Sequence, residues 1–192
     1  MSDEQIAAAF KDTDAIRKGH FRLTSGRHSD TYIQCARVLE HPTLTMRLAA
    51  EAVARLPKDL EIDLVASPAV GGILFGFAVA AALDKPLIFS ERVDGKMVFR
   101  RSFEVSEGAK VLIVEDVVTT GGSVKDVSDL VEENGGSAVA VVSLIDRGAD
   151  PLFSAPYYPL LQLITPSWEE ADCDLCKQGV PIDSPGSRRI NK

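Results

Sequence analysis

The sequence is poor in several features that would place it in particular classes of protein. Its 192 residues include only three cysteines and 6% aromatic residues, and its net charge is −7. Three cysteines are too few for a disulfide scaffold, which favours a reducing compartment. An acidic chain also lacks the basic field that attracts nucleic acids and anionic membranes. We therefore expect a cytoplasmic protein with no nucleic-acid or membrane partner, in which any anion site is local.

Long apolar runs are also missing. The longest, ILFGFAVAAAL at residues 73–83, is too short to cross as a helix a bilayer whose apolar core is about 30 Å thick. The first ten residues, MSDEQIAAAF, carry acids where a secretory signal requires a basic region. These features predict a protein that is neither exported nor inserted in a membrane.

The cysteines suggest no metal site by themselves. Cys35 is typical of inert packing, whereas Cys173 and Cys176 form an isolated C-x-x-C near the C-terminus. No second cysteine pair and no histidine close in the sequence completes a zinc motif. The pattern favours a thiol pair in a polar tail over redox chemistry or metal binding.

The chain is predicted to form one α/β domain over residues 1–192. From residue 62 onward, apolar β-type segments alternate with helical segments, which is typical of parallel strands joined by crossover helices. We expect a doubly wound, mostly parallel five-stranded core sheet within residues 61–166, with functional loops at the carboxyl ends of its strands. The predicted strands are 62–67, 86–91, 110–116, 137–146 and 160–165.

The remaining segments are predicted to flank this core. Residues 1–60 would supply a helix (3–17), a turn between strand-like segments (20–35) and an amphipathic helix beginning near Pro42, which together form a small N-terminal hood. Residues 71–85 predict a helix buried on all sides. A helix that ends at Gly135 or Gly136 would bury Val124, Val127, Leu130 and Val131. Residues 167–192 form the tail.

Two strand-to-helix turns contain glycine pairs and are the candidate functional loops. SPAVGG (67–72) follows the first predicted strand, and EDVVTTGGS (115–123) follows the third. Backbone N–H groups at such a turn, together with the positive end of a helix dipole, bind an anion without a basic side chain. Thr119, Thr120 and Ser123 add hydroxyl donors, so the second turn is predicted to bind phosphate.

The acid pair Glu115 and Asp116 restricts the ligand of this turn. Ser123 follows Gly122 where a P-loop has lysine, and neither turn has the G-x-G-x-x-G of a dinucleotide site. Acids beside a bound phosphate repel it unless they meet a neutral polyol or Mg²⁺. A ribose 5-phosphate fits, because its phosphate can lie on the turn while its 2- and 3-hydroxyls donate hydrogen bonds to the two acids.

Residues 111–123, VLIVEDVVTTGGS, resemble the signature of the phosphoribosyltransferase family. A buried strand that ends in a solvated turn would not explain the acid pair. The resemblance implies that the donor is phosphoribosyl diphosphate and that its Mg²⁺ is carried by the donor, without a direct protein ligand. Its ribose 5-phosphate would be bound by Glu115, Asp116, Val117, Val118, Thr119, Thr120, Gly121, Gly122 and Ser123. Its diphosphate would be bound by Ala69, Val70, Gly71 and Gly72.

Within that family, the N-terminal part resembles the orotate enzymes. The resemblance rests on FRLTSGRHSDTY (21–32), on IDRG (145–148) and on the closing PGSRR (185–189). It implies that orotate is the acceptor and that Thr119, Arg147 and Tyr32 contact it. The contact between Arg147 and orotate is also supported independently of the resemblance, because a guanidinium can bind the orotate carboxylate through two parallel hydrogen bonds. The alternative for Arg147 is a salt bridge to Asp146 or Asp150.

The segment ERVDGKMVFRR (91–101) holds the densest basic cluster in the central part of the chain. Asp94-Gly95 predicts a hairpin turn, and the cations are Arg92, Lys96, Arg100 and Arg101. A solvated hairpin is one interpretation, particularly for Arg100 and Arg101. The other is a mobile loop that closes over the diphosphate, and in the related enzymes such a loop reaches the neighbouring subunit, which implies a homodimer.

This chain departs from the pattern of many orotate enzymes, which have a histidine and further lysines at these loops. Its histidines are His20, His28 and His41, all outside the basic segment. We therefore assign catalysis to Arg92, Lys96 and Asp116, which stabilise charge as the bond between ribose and diphosphate loosens. No protein nucleophile is required.

Two alternatives remain open at this level. The acid pair and the phosphate turn recognise the sugar and not the base, so a transferase for a purine or another pyrimidine would share them. A regulator that keeps the fold and binds nucleic acid is a second alternative, although the acidic composition counts against it.

Overall fold

The structure, a computed structural model, describes residues 1–23, 25–148 and 150–185. Its helices are α1 (Asp3–Asp12), α2 (Ala36–Leu39), α3 (Pro42–Ala54), α4 (Gly71–Leu83), α5 (Gly122–Glu133) and α6 (Asp174–Lys177), with a turn of 3₁₀ helix at Glu170–Asp172. Its strands are β1 (Ile16–Arg22), β2 (His28–Ile33), β3 (Leu64–Pro68), β4 (Leu87–Val93), β5 (Lys96–Phe99), β6 (Lys110–Val118), β7 (Ser137–Asp146) and β8 (Tyr157–Gln162).

The central sheet has the strand order β5-β4-β3-β6-β7-β8. The five predicted strands are present and parallel, which confirms the mostly parallel α/β fold. A sixth strand, β5, pairs antiparallel with β4 at the edge, because the basic segment forms a hairpin that extends the sheet. The direction of winding reverses between β3 and β6, and in such folds that point opens a ligand crevice at the carboxyl ends of the strands.

Helices cover both faces of the sheet. On one face, α1, α3 and α4 pack onto the sheet through residues such as Leu48, Phe75 and Val79. On the other face, α5 buries Val124, Val127 and Val131, as its sequence spacing predicted, while Leu130 of the same stripe is only partly buried. The carboxyl ends of β3 and β6 are therefore held between two apolar layers.

Helix α4 is not buried on all sides. Its inner face includes Phe75 and Val79, but Leu74 is 57% exposed and Phe77 is 64% exposed. The preceding Val70 is 81% exposed on the same side of the chain. The prediction of a fully buried helix is wrong, because the sheet covers only one face of it. Across the described ranges, no helix is both long and apolar enough to span a membrane.

The first helix is shorter than the sequence predicted. It begins with a capping box, in which Ser2 and Gln5 satisfy each other's backbone N–H groups, and it ends at Asp12 rather than near residue 17. Asp14 has a φ of 52°, which turns the chain out of the helix, and Ile16 already pairs with Ile33 in the hairpin of β1 and β2. The predicted helix therefore loses its last residues, because Ile16 and Arg17 pair with β2 instead.

The hood consists of the antiparallel β1–β2 hairpin and the C-terminal segment that crosses it. Phe21 bridges to Asp183, and His28 bridges to Trp168. The backbone groups of His28 and Trp168 exchange two hydrogen bonds of 2.8 Å. Cys173 is fully buried, so the prediction of a thiol pair in a polar tail is wrong for this cysteine, whereas Cys176 is partly exposed. Thr24 and residues 186–189 of the PGSRR segment lie outside the described residues.

Candidate active site

Glu115 and Asp116 lie near the carboxyl end of the central strand β6. The Asp116 N–H donates to Glu115 Oε1 at 3.0 Å, and the Val117 N–H donates to Asp116 Oδ1 at 2.8 Å. Glu115 is 8% exposed, whereas Asp116 is partly exposed. Asp116 is therefore the more accessible carboxylate, and Glu115 is held beneath it.

The two acids are electrostatically unequal. Burial raises the pKa of Glu115 well above its ordinary value, and the adjacent charge of Asp116 raises it further. Desolvation disfavours the charged form, so Glu115 retains its proton to a higher pH than an exposed glutamate does. A ligand that donates hydroxyl hydrogen bonds to the carboxylate would favour its ionised form.

The second glycine turn follows these acids and leads into α5. Gly121 is the residue before the helix and has a φ of 76°, a conformation that favours glycine. A Cβ atom there would also lie 2.7 Å from the ring of Phe153. Thr119 and Thr120 are exposed, and the positive end of α5 begins at Gly122. The turn thus combines free hydroxyls with helix amides, as a phosphate site requires.

The first glycine turn lies directly against the acid pair. The peptide between Ala69 and Val70 is cis, and α4 begins at Gly71. A Cβ atom on Gly71 would lie 2.7 Å from Asp116 Oδ2, and one on Gly72 would lie 3.1 Å from Glu115 Oε1. Glycine therefore allows the start of α4 to approach both carboxylates. The structure brings the two predicted anion-binding turns together around the acids.

A cavity of about 970 Å³ opens at this point. Its lining contains all nine residues predicted to bind the ribose 5-phosphate, from Glu115 to Ser123. Ser25, Arg92, Gly95, Val124 and Asp126 complete the lining. Of the other described candidates, the residues of the first glycine turn, Lys96, Tyr32 and Arg147 lie outside it. The cavity is large enough for a sugar phosphate, and most of its lining comes from the second glycine turn, residues 115–123.

The basic segment is a tight β-hairpin whose turn reaches the cavity. Val93 pairs with Lys96, and the turn residues Asp94 and Gly95 have φ values of 48° and 83°, as in a type I′ turn. The predicted hairpin turn is present. Arg92 donates to Gly95 O at 2.6 Å and to Asp126 Oδ2 at 2.7 Å, which holds its guanidinium between the hairpin and α5.

The other cations of this segment lie away from the cavity. Lys96 is exposed on β5, and Arg101 pairs with Glu91 at 3.1 Å and stacks over Phe89. For Arg101 this geometry matches the solvated-hairpin interpretation. Arg92 is thus the predicted catalytic cation that this conformation places in the cavity.

Arg147 follows β7 and lies over the neighbouring end of the sheet. Its N–H donates to Val118 O at 2.9 Å, and its guanidinium donates to the Thr165 hydroxyl. Its Nε is buried and has no hydrogen-bond partner among the described residues. Asp146 does not pair with it, because the Asp146 carboxylate accepts from the Gly148 N–H and from Gln162. Burial lowers the pKa of Arg147, and its Nε–H is enclosed without an acceptor among the described residues.

Tyr32 lies on the hood rather than on the cavity wall. Its hydroxyl donates to Gln34 Oε1 at 3.0 Å, and its ring is 5.6 Å from that of Phe21. Burial is the main cause of its raised pKa, to which the charge of Asp116 contributes. Tyr32 therefore packs within the hood and does not line the cavity.

Two lining residues had no role assigned from the sequence. Asp126 holds Arg92 from the second turn of α5, and Ser25 reaches the cavity from the hood. The Ser25-Gly26 segment was part of the family resemblance, so a signal for Ser25 was present. Asp126 gave no such signal, because its role depends on a hairpin that approaches from another part of the sheet.

Comparison with known proteins agrees with this arrangement. The model of the phosphoribosyl transferase domain matches residues 36–176. The chain belongs to the phosphoribosyltransferase family. The match includes the acid pair and both glycine turns, and it confirms the resemblance drawn from residues 111–123.

The full-length relatives of this phosphoribosyltransferase carry a more specific name. It is 46% identical to the orotate phosphoribosyltransferase of Heliobacterium modesticaldum, over 98% of this chain and 100% of the relative. The crystal structure of the orotate phosphoribosyltransferase from Aeropyrum pernix matches with a TM-score of 0.69 at 25% identity, over 82% of this chain and 93% of that one. An adenine phosphoribosyltransferase from Saccharomyces cerevisiae matches with a TM-score of 0.63 at 19% identity, over 81% of this chain and 99% of that one. The match to the adenine enzyme concerns the fold alone. The fold is therefore shared by enzymes with different acceptor bases and does not by itself specify the acceptor.

Proposed function

We propose that this protein transfers the phosphoribosyl group from phosphoribosyl diphosphate to orotate, giving orotidine 5′-monophosphate and diphosphate for pyrimidine biosynthesis. The observation that carries this proposal is the position of Glu115 and Asp116 between two glycine turns, each of which leads into a helix N-terminus. The identity to full-length orotate phosphoribosyltransferases supports orotate as the acceptor.

The donor fits across the two turns. Its 5-phosphate lies on the amides and hydroxyls of residues 119–123, and its 2- and 3-hydroxyls donate to Asp116 and Glu115. Its diphosphate lies at the Ala69–Gly72 turn, beside the start of α4. The close approach of Gly71 to Asp116 supports this arrangement, because it leaves a short span between the ribose acids and the diphosphate turn.

Magnesium is the proposed cofactor and enters with the donor. The residues present fit that role, because the oxygens of the diphosphate would supply the ligands that Mg²⁺ prefers, and partly exposed Asp116 places a negative charge beside the ribose site. Magnesium on the diphosphate would neutralise part of the negative charge that develops on the leaving group. Asp116 orients the ribose hydroxyls and stabilises the positive charge that develops on the sugar.

Arg92 and Lys96 are the proposed cations for the departing diphosphate. Arg92 already lines the cavity, where Asp126 fixes its guanidinium. Lys96 lies on the outer strand of the same hairpin and would reach the diphosphate when the hairpin closes over the site or over that of a neighbouring subunit. Closure would also exclude water from the sugar cation.

Orotate is proposed to lie between the hood and the end of β7. The buried, unpartnered Nε of Arg147 supports a contact with the orotate carboxylate, which would supply the missing acceptor. Thr119 lines the cavity and would contact orotate there, and Tyr32 would cover the base from the hood.

We also propose that the protein is a cytoplasmic homodimer. One face of α4 and the turn before it leaves Val70, Leu74 and Phe77 largely exposed, which is costly for a monomer and typical of an interface between subunits. The three unpaired cysteines agree with a reducing compartment.

The test is the loss of orotate absorbance in the presence of phosphoribosyl diphosphate and Mg²⁺. Uracil, adenine, hypoxanthine and xanthine serve as alternative acceptors, and Asp116→Asn serves as the matched variant with reduced but measurable turnover. Rapid turnover of orotate alone is expected. Turnover of another base would agree with the proposed ribose site but contradict the roles proposed for Tyr32 and Arg147. No turnover of any base would contradict the enzymatic function itself.

A further inference from the structure

Four potential metal ligands from opposite ends of the chain converge beneath the hood. They are His20 of β1, His28 of β2, Cys173 and Cys176, and one ligand atom from each lies within 4.8 Å of all the others. His20, His28 and Cys173 are 4%, 1% and 0% exposed. The isolated C-x-x-C of the sequence is thus completed by two histidines that are about 150 residues away.

Three of four distances between these atoms are close to those of tetrahedral coordination, and the distance between His28 and Cys176 is shorter. His20 Nε2 lies 3.2 Å from His28 Nδ1, and it lies 3.5 Å from Cys173 Sγ and 3.6 Å from Cys176 Sγ. His28 Nδ1 lies 3.2 Å from Cys176 Sγ. With the usual zinc bond lengths, a regular tetrahedron places two nitrogens about 3.3 Å apart and a nitrogen and a sulfur about 3.6 Å apart. The side chains are therefore spaced for an ion at their centre.

The hydrogen bond behind His20 orients it as a ligand. Its Nδ1 lies 2.8 Å from the carbonyl oxygen of Val180. A carbonyl can only accept, so Nδ1 carries the proton and Nε2 presents its lone pair to the cluster. Histidine ligands of metal ions generally have such a backbone or carboxylate partner behind them, because it fixes the tautomer and the plane of the ring.

The chemistry of the four donors selects the ion. Two thiolates and two neutral imidazoles arranged as a tetrahedron are typical of Zn²⁺, and a site with four protein ligands has no open position for catalysis. Two thiolates also balance the charge of Zn²⁺, which makes the complex neutral and tolerable in a buried position.

We propose that His20, His28, Cys173 and Cys176 bind one structural Zn²⁺ ion that fastens the C-terminal segment to the hood. In the described part of this segment, residues 167–185, Cys173 is the one buried residue and α6 has none of its own. The ion joins the β1–β2 hairpin to residues 173–176 and so holds the hood that carries Tyr32 and Ser25. This proposal is independent of the base that the enzyme uses.

The first experiment measures the zinc content of the untagged, full-length protein, purified without chelators, by mass spectrometry of the metal. We expect one zinc ion per chain. Cys176→Ser and His28→Asn should lose most of it. The chain offers matched controls, because its one remaining cysteine and one remaining histidine lie outside the cluster, and Cys35→Ala and His41→Asn should keep the full zinc content.

A second measurement needs no variant and so remains decisive if the variants fail to fold. Wild-type protein in which Co²⁺ replaces zinc should show the intense visible bands of tetrahedral cobalt and a sulfur-to-cobalt charge-transfer band. Metal removal should expose two additional reactive thiols and lower the melting temperature by several degrees.

A wild-type protein with no bound metal, no cobalt spectrum and freely reactive cysteines would mean that the cluster is only a set of hydrogen-bonded thiols and imidazoles. A Cys173–Cys176 disulfide in the freshly isolated protein would equally overturn the proposal.

Discussion

The backbone of Gly71 lies directly against the carboxylate of Asp116. A Cβ atom at position 71 would be 2.7 Å from Asp116 Oδ2 and 2.8 Å from Oδ1, closer than side chains approach one another in folded proteins. The first residue of α4 and the accessible acid of β6 therefore share one small space. This contact couples the proposed diphosphate turn to the proposed ribose site.

Replacement of Gly71 by alanine tests that coupling. The added methyl group should displace the Asp116 carboxylate and lower kcat/KM for phosphoribosyl diphosphate by about 10- to 100-fold, because misplacement by about 1 Å is sufficient for such a loss. Far-ultraviolet circular dichroism should remain unchanged, since Gly71 is exposed. Steady-state kinetics in an Asp116→Asn background provides the control. If Gly71→Ala costs as much there as in the wild type, its effect does not act through Asp116.

The raised pKa of Glu115 predicts an unusual dependence of stability on pH. Because burial raises the pKa in the folded state above that in the unfolded state, the folded protein binds more protons between the two values. Its free energy of unfolding should therefore fall as pH rises from the ordinary glutamate pKa, near 4.5, through the raised value. Glu115→Gln should flatten this part of the curve and be the more stable protein at the alkaline end.

Urea unfolding at a series of pH values measures that effect. Exposed Glu104→Gln is the matched control and should retain the pH dependence of the wild type. A Glu115→Gln curve that runs parallel to the wild-type curve at all pH values would show that Glu115 does not titrate abnormally.

The two proposed loop cations should differ in how they act. Arg92→Ala should lower kcat by about 10²- to 10³-fold, the usual effect of losing one group that stabilises transition-state charge. Lys96→Ala should lower kcat more than it raises the KM for orotate. Arg101→Ala is the control, because its guanidinium is engaged by Glu91.

Mixed subunits locate the action of Lys96. If Lys96 acts in the neighbouring site of a dimer, mixing Lys96→Ala with Asp116→Asn subunits restores one working site in each mixed dimer. No recovery in subunits shown to exchange would place Lys96 in the site of its own chain.

Arg147 should discriminate between the two substrates. Arg147→Ala should raise the KM for orotate by about 10- to 100-fold, because a charged hydrogen-bonded pair contributes about 1.5–3 kcal/mol. The KM for phosphoribosyl diphosphate should change little. Arg147→Lys should not restore orotate binding, because an ammonium group cannot form the two parallel hydrogen bonds. Equal weakening of both substrates, measured by initial rates, would contradict the assignment.

The sequence predicted most of the core because its information there is local. The apolar strands, the stripe of α5 and the turn at residues 119–123 each follow from residue types within a few positions of one another. The acid pair and glycines of residues 111–123 are sufficient by themselves to identify the family. The Asp94-Gly95 turn likewise specified its hairpin, because only such residues readily take the two positive φ values.

Contacts between distant parts of the chain decided the rest. Helix α1 ends early because Ile16 pairs with Ile33, and α4 exposes Leu74 and Phe77 because the sheet covers one of its faces. Asp126 gained its role through a hairpin that approaches from another strand.

The cluster of His20, His28, Cys173 and Cys176 depends most strongly on tertiary structure. Each residue by itself is ordinary in the sequence, and the spacing of the cysteines specifies only half a site. Folding the C-terminal segment across the hood brings the two halves together, because backbone bridges at Phe21 and His28 fix its path. The sequence by itself determined the family, the core sheet and the phosphate turn through local patterns. The tertiary structure decided which distant side chains meet, since that depends on chain crossings that no local pattern records.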